Sequence, residues 1–132
     1  MDVNAKDRKY YWLKLPKDFF KSGTMQIIES MDNGPEYVLF YIKALCESIE
    51  HDGFLLLTEH KLHTPRTLAA ILRMDVNKVK EAIDVLADFG LIKVAGEQYY
   101  MPELKEMVGR NTYWAQKKRE QRERDDPGNG PI

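Results

Sequence analysis

Asn77, Lys78, Lys80 and Glu81 lie together in a polar stretch flanked by regularly spaced apolar side chains. An asparagine carboxamide matches the donor and acceptor on an adenine edge, and a lysine ammonium suits guanine or a phosphate. The group therefore has the chemistry of base and backbone recognition. Lys61, Arg66 and Arg73 precede it and Lys93 follows it; each could meet a phosphate, which adds salt dependence but no sequence information. The plain alternative for the same residues is a solvated helix face, and Asp84 and Asp88 further along repel any DNA that comes close.

Other chemistry is sparse. Glu59, His60 and His63 form an E-H-x-x-H string with His51 and Asp52 nearby, but a zinc site needs three or four convergent ligands and a second layer of hydrogen bonds. Cys46 is the one cysteine, which excludes an internal disulfide, and its place among apolar helix positions predicts that it is buried. No glycine-rich phosphate loop, no G-x-S-x-G elbow and no cysteine beside a histidine occurs. Carboxylate pairs such as Asp125 with Asp126, or Glu103 with Glu106, read as a solvated face and not as a general acid and base. The expectation is a protein that is no enzyme and takes no metal and no cofactor.

The polar group must be held by the elements around it. Leu68, Ala69 and Leu72 form one short apolar stripe, Met74 fills a turn, and Val79, Ala82, Ile83, Leu86 and Phe89 recur at the spacing of a second helix. Thr64 is placed to cap the first helix with Pro65 at its first position, and Asp75 to cap the second. With the second helix's apolar face inward, Asn77, Lys78 and Glu81 project outward and Lys80 lies toward a flank. Gly90 is a left-handed terminator, after which Leu91–Val94, Ala95–Gln98 and Tyr99–Met101 read as strand, tight turn and strand. Helix, turn, helix and hairpin are the outline of a winged helix.

Ahead of this unit, Tyr10-Tyr11-Trp12-Leu13-Lys14-Leu15 forms an extended arm whose aromatics are expected to cover core, with partner docking as the other reading. Phe20, Thr24, Ile27, Ile28 and Met31 share one face of a short helix from Phe19, stopped by Asp32-Asn33-Gly34-Pro35. Pro35 to Glu50 is a longer helix with two apolar stripes: Val38, Tyr41, Ile42, Leu45 and Ile49, then Tyr37, Phe40 and Ala44. Such a helix must be covered on two sides. One side is assigned to the two-helix unit and the other to the Phe19 helix with the arm. Phe54–Leu57 is a short strand expected to lie beside the wing. After the hairpin, Leu104, Met107 and Val108 make one more amphipathic turn, which Gly109 breaks.

A chain of 132 residues with 43% hydrophobic content supports one compact domain. It has no run of about 18 apolar residues and no cleavable leader, so a cytoplasmic protein without a membrane span is expected. The net charge of −1 is unevenly spread: fourteen lysines and arginines face seventeen acids over 1–108, but six face four over 109–132. The basic excess lies in Arg110 to Arg124, which includes Lys117, Lys118 and Arg119 and lacks apolar periodicity beyond Trp114. The expected fold is mainly α with a small β-sheet: a winged helix-turn-helix with an N-terminal extension and a basic C-terminal helix or arm. The divisions are a flexible N-terminus at 1–9, the winged-helix domain with its arm at 10–108, the basic helix or linker at 109–124, and a disordered tail at 125–132.

Several of these segments occur together, in order. Tyr10-Tyr11-Trp12-Leu13-Lys14-Leu15, Asp18-Phe19-Phe20, Tyr41-Ile42-Lys43-Ala44-Leu45, Asp52-Gly53, Phe89-Gly90-Leu91-Ile92, Pro102-Glu103-Leu104 and Met107-Val108-Gly109 resemble the N-terminal domain of phage replisome organiser proteins, from about Lys9 to Arg124. The resemblance implies a winged-helix domain of phages and prophages that binds double-stranded DNA at the replication origin and helps recruit host helicase-loading proteins. The basic segment resembles the family's link to a second, C-terminal domain, which has no counterpart in this sequence. Two rival functions share the fold: a transcriptional regulator, and a protein-interaction and homo-oligomerisation module of primosome type with weak DNA binding.

Overall fold

The computed structural model describes residues 10–111. The described chain divides into two compact units, one spanning Leu13–Val108 and the other containing residues 10–12 and 109–111.

The larger unit is mainly helical. After a single 3-10 turn at Phe19–Lys21, helix α1 runs Gly23–Glu29 and α2 runs Gly34–Ser48, ending in a second 3-10 turn at Ile49–His51. The start of α1 is set by Ser22, whose hydroxyl accepts from the Met25 N–H. The helix anticipated from Phe19 is thus two pieces, and its buried side chains are Met25 and Ile28, while Phe20 and Ile27 are exposed. The break at Ser22 resets the helical phase, which a single run of i, i+3, i+4 spacing could not register. Gly34 is required at the α1–α2 junction, because a Cβ there would fall 2.2 Å from the Ile28 carbonyl oxygen.

Both stripes of α2 are buried: Tyr37, Val38, Phe40, Tyr41, Ala44, Leu45 and Ile49 all enter the core. Helix α2 packs on α1 and on two later helices, α3 (Pro65–Leu72) and α4 (Val76–Asp88). Leu39, Lys43, Cys46 and Glu50 recur on the remaining side, so Cys46 is exposed; the expectation that it is buried fails by one helical position. Lys43 uses that side to donate to the Leu72 carbonyl at the end of α3, at 2.7 Å.

Thr64 caps α3 as expected. Its hydroxyl accepts from the Thr67 N–H while the Thr67 hydroxyl accepts from the Thr64 N–H, with Pro65 at the first turn. Between β2 (Leu56–Thr58) and α3 lies the two-residue strand β3 (Lys61–Leu62), which pairs antiparallel with β2. The strand expected at Phe54–Leu57 therefore starts later, but Phe54 bridges Tyr100 and the Leu55 N–H donates to the Tyr99 carbonyl, so the chain does run beside the second hairpin. That hairpin is β4 (Lys93–Ala95) and β5 (Gln98–Tyr100), joined through Gly96 at φ 63. Its strands are shifted from the sequence reading because Leu91 and Ile92 are spent on closing α4: both N–H groups donate to the Leu86 carbonyl.

Helix α5 (Leu104–Met107) buries Leu104 and Met107, and β6 (Val108–Asn111) follows at once, pairing with β1 (Tyr10–Leu13). In the smaller unit, Gly109 lies within β6 and does not break the chain; the Trp12 indole occupies the space a Cβ would need. Tyr11 and Trp12 remain 38% and 40% exposed, where the sequence led to an expectation of buried aromatics. Among the described residues no helix is long and apolar enough to cross a membrane.

Leu86 is fully buried, so Leu86→Ala is expected to destabilise by about 2–5 kcal/mol, measured by chemical denaturation; parent-like stability would refute the α4 register. Tyr41 gives a second expectation. Burial and then the Glu103 charge push its hydroxyl from 10.0 up to about 12. The folded state holds this proton more tightly than the unfolded chain, so the contribution is complete below pH 10 and is lost as pH rises toward 12. Over that window the stability of Tyr41→Phe should fall less steeply than that of the parent.

Candidate nucleic-acid interface

The α3–α4 turn places the first set of candidate residues. Arg73 ends α3 in the left-handed region at φ 58, ψ 53, and Asp75 begins α4 from extended backbone. The Asp75 carboxylate accepts from the N–H groups of Asn77 at 2.9 Å and Lys78 at 3.2 Å. This pairs two of the four donors that the start of a helix leaves free, and puts negative charge at the positive end of the dipole.

Val79, Ala82, Ile83 and Leu86 point into the core, as the spacing predicts. The opposite face of α4 carries Asn77, Glu81, Asp84 and Asp88, with Lys80 also exposed. Lys78 is half-buried on the flank toward Tyr37. The outward and flank assignments of the two lysines are therefore corrected: both flank the face, and Lys80 is the more open. One residue is 100° of helix, so a small error in the inward direction exchanges neighbouring flank positions.

Glu81 is not free in the way the sequence suggested. One carboxylate oxygen accepts from the Tyr37 hydroxyl at 3.0 Å and from the Asn33 amide at 3.3 Å. This locks the first two turns of α4 to the start of α2 and makes Glu81 a residue that orients the helix. Tyr37 and Asn33 are functional neighbours that sequence reasoning missed. Asn33 could be read only as part of a stop signal, and neither residue is near Glu81 in sequence.

Arg66 on α3, Arg73 in the turn and Lys93 at the start of β4 are exposed. The C-terminal half of the same face has the opposite character. Burial, then the charges of Asp84 and Glu97, push the Tyr99 hydroxyl upward, which places two carboxylates around β5. Lys117, Lys118 and Arg119 lie outside the described residues.

The E-H-x-x-H string resolves into separate parts. Glu59 and His60 are exposed at the β2–β3 turn. His63 is buried, with Nδ1 2.8 Å from the Thr67 hydroxyl and Nε2 3.1 Å from a Glu47 carboxylate oxygen. A neutral ring protonated on Nε2 satisfies both contacts, donating to Glu47 and accepting from Thr67, so His63 ties α3 to α2. Among the described residues no three histidine, cysteine or acidic groups gather as a metal ion would require.

These elements define a small, mainly helical domain with antiparallel hairpins. The chain belongs to the N-terminal phage replisome organiser family, whose model matches residues 12–128, and this gives it a role in phage replication. No curated protein and no solved structure matches it.

Asp75→Ala is expected to cost about 0.5–2 kcal/mol, since the cap and the favourable charge are lost together. Urea denaturation checks it, and an unchanged midpoint with an unchanged slope would refute the cap's contribution.

Proposed function

We propose that this chain is the DNA-binding module of a phage replisome organiser, a non-catalytic winged helix-turn-helix that engages duplex DNA at the replication origin. In this reading α3 and α4 are the helix-turn-helix and β4–β5 is the wing. Asn77, Lys78 and Lys80 approach base edges in the major groove, while Arg66, Arg73 and Lys93 reach flanking phosphates. Lys117, Lys118 and Arg119 supply a further sequence-independent attraction.

The observation that carries the reading is the charge order along α4. Two lysines follow its positive end and two aspartates approach its negative end, the reverse of what the dipole favours. The dipole acts within the terminal turns, so Lys78 and Asp88 each forgo on the order of 0.3–1 kcal/mol of stability, while the Asp75 cap favours the start of the helix. Local rules are broken in this way where function requires it. The same order limits DNA to the first two turns of α4, because Asp84 and Asp88 repel phosphates. That acidic half is also what lends support to the protein-interaction reading.

Asn77→Ala and Lys80→Ala should each weaken binding to the preferred site by about 1–3 kcal/mol, with a smaller effect on a scrambled duplex. Their melting temperatures should stay at or near the parent value, because neither side chain is buried. Neutralising Lys117, Lys118 and Arg119 together should instead weaken both duplexes alike and flatten the salt dependence. Fluorescence anisotropy at several salt concentrations measures all of this. Unchanged discrimination in both single variants would refute the groove assignment, and absence of binding by the parent at low salt would favour the protein-interaction module.

A further inference from the structure

A cavity of about 500 Å³ opens on the larger unit among residues that the DNA reading does not use. Phe19, Met25, Tyr41, Leu91 and Met107, all buried or half-buried, line it as apolar walls, and the exposed Asp18, Glu103 and Glu106 form its rim. No lysine, arginine or histidine lines it.

Three features of this cavity point to a cationic occupant. The first is Tyr41, which is only 2% exposed and stacks against Phe19 with ring centroids 6.3 Å apart. Among the described residues its hydroxyl has no hydrogen-bond partner, although no buried polar side-chain atom among them is left unpaired. The hydroxyl is therefore the open end of the side chain. The Glu103 charge acts on it, so the two groups lie within electrostatic reach of each other. An accessible hydroxyl at the end of a buried ring can accept from a donor brought into the cavity.

The second feature is the rim. Glu103 and Glu106 occupy one helical turn, joined by the Glu106 N–H donating to the Glu103 carbonyl at 3.1 Å. Their side chains are neighbours at i, i+3, where like charges repel. Asp18 already has a loose partner, since Lys21 Nζ lies 3.9 Å away with both groups exposed. No ion pair among the described residues involves Glu103 or Glu106. The third feature is the walls, which are apolar and deeper than the charged rim. An occupant must bring a hydrocarbon stem to the walls and a cation to the rim, and arginine and lysine side chains have this form. Nucleic acid is excluded by the sign of the charge.

We infer that the cavity over Tyr41 docks an arginine or lysine side chain of a partner protein, its stem against Met25, Leu91 and Met107 and its cation between Glu103, Glu106 and the Tyr41 hydroxyl. The site is separate from α4 and goes beyond the proposed DNA contact. No residue is shared between the two sets.

The test uses the full chain and a fluorescein-labelled peptide, acetyl-Leu-Arg-Leu-Arg-Leu-amide. Its control carries citrulline for each arginine, which keeps the shape and removes the charge. The arginine peptide should bind, and the citrulline peptide about tenfold or more weakly, as expected for loss of charge-assisted hydrogen bonds. Glu103→Gln with Glu106→Gln should weaken the arginine peptide to a similar extent, and Tyr41→Phe several-fold. Circular dichroism should show both variants folded, and their affinity for duplex DNA should not fall. With 13C-methyl-labelled methionine, the Met25 and Met107 signals should shift on peptide addition while Met74, in the α3–α4 turn, should not. No binding of the arginine peptide, equal binding of the citrulline peptide, or shifts centred on Met74 would each overturn the inference. Loss of DNA binding in the Asn77 and Lys80 variants tests the other reading independently.

Discussion

Helix α2 has no solvent-only orientation that its sequence could accept. Tyr37, Val38, Phe40, Tyr41, Ala44 and Leu45 span about 160° of its circumference and all are buried, an arc wider than one neighbouring helix covers, so it needs more than one partner. That constraint determines where α1, α3 and α4 can go. It also accounts for the tight α1–α2 junction at Gly34, since a longer connection would let α1 slide off the face it covers. At about 1.5–3 kcal/mol per large apolar side chain buried, this one helix organises more stabilisation than any cap or ion pair among the described residues.

The polar contacts tune what the packing fixes. Glu81 to Tyr37 and Asn33, Lys43 to the Leu72 carbonyl, and His63 between Glu47 and Thr67 all tie the α3–α4 pair to α2 or its approach. Apart from His63 to Thr67, each contact joins residues 16 or more positions apart. The Glu81 contacts reach α4 itself and hold it against Tyr37 and Asn33, and a groove-reading helix must have such a placement fixed in advance.

The parts of this arrangement readable in sequence are the local ones. Thr64 and Asp75 announce helix starts because capping is decided within three residues, and Val79, Ala82, Ile83 and Leu86 announce a buried face because the helical period is fixed. What could not be read depends on phase or on distant partners. Cys46 is one position off the buried stripe, and Ser22 interrupts a helix that apolar spacing alone makes continuous. Glu81 looked like a solvent-facing group until Tyr37, more than 40 residues earlier, was brought against it. Glu103 and Glu106 read as a solvated pair because nothing local reports the apolar cavity beside them. The family itself was legible from a series of short segments in order, and its model matches the chain over residues 12–128.

The central claim is that the first turns of α4, and not its acidic second half, meet duplex DNA. Amide chemical shifts of the 15N-labelled chain, followed during titration with duplex DNA, test this most directly. Shifts are expected to concentrate at Arg73, Asn77, Lys78 and Lys80, with a lesser set near Arg66 and Lys93 and little change at Asp84, Asp88 or Glu103. Shifts centred on Asp84 and Asp88, or absent from α4 altogether, would contradict the claim.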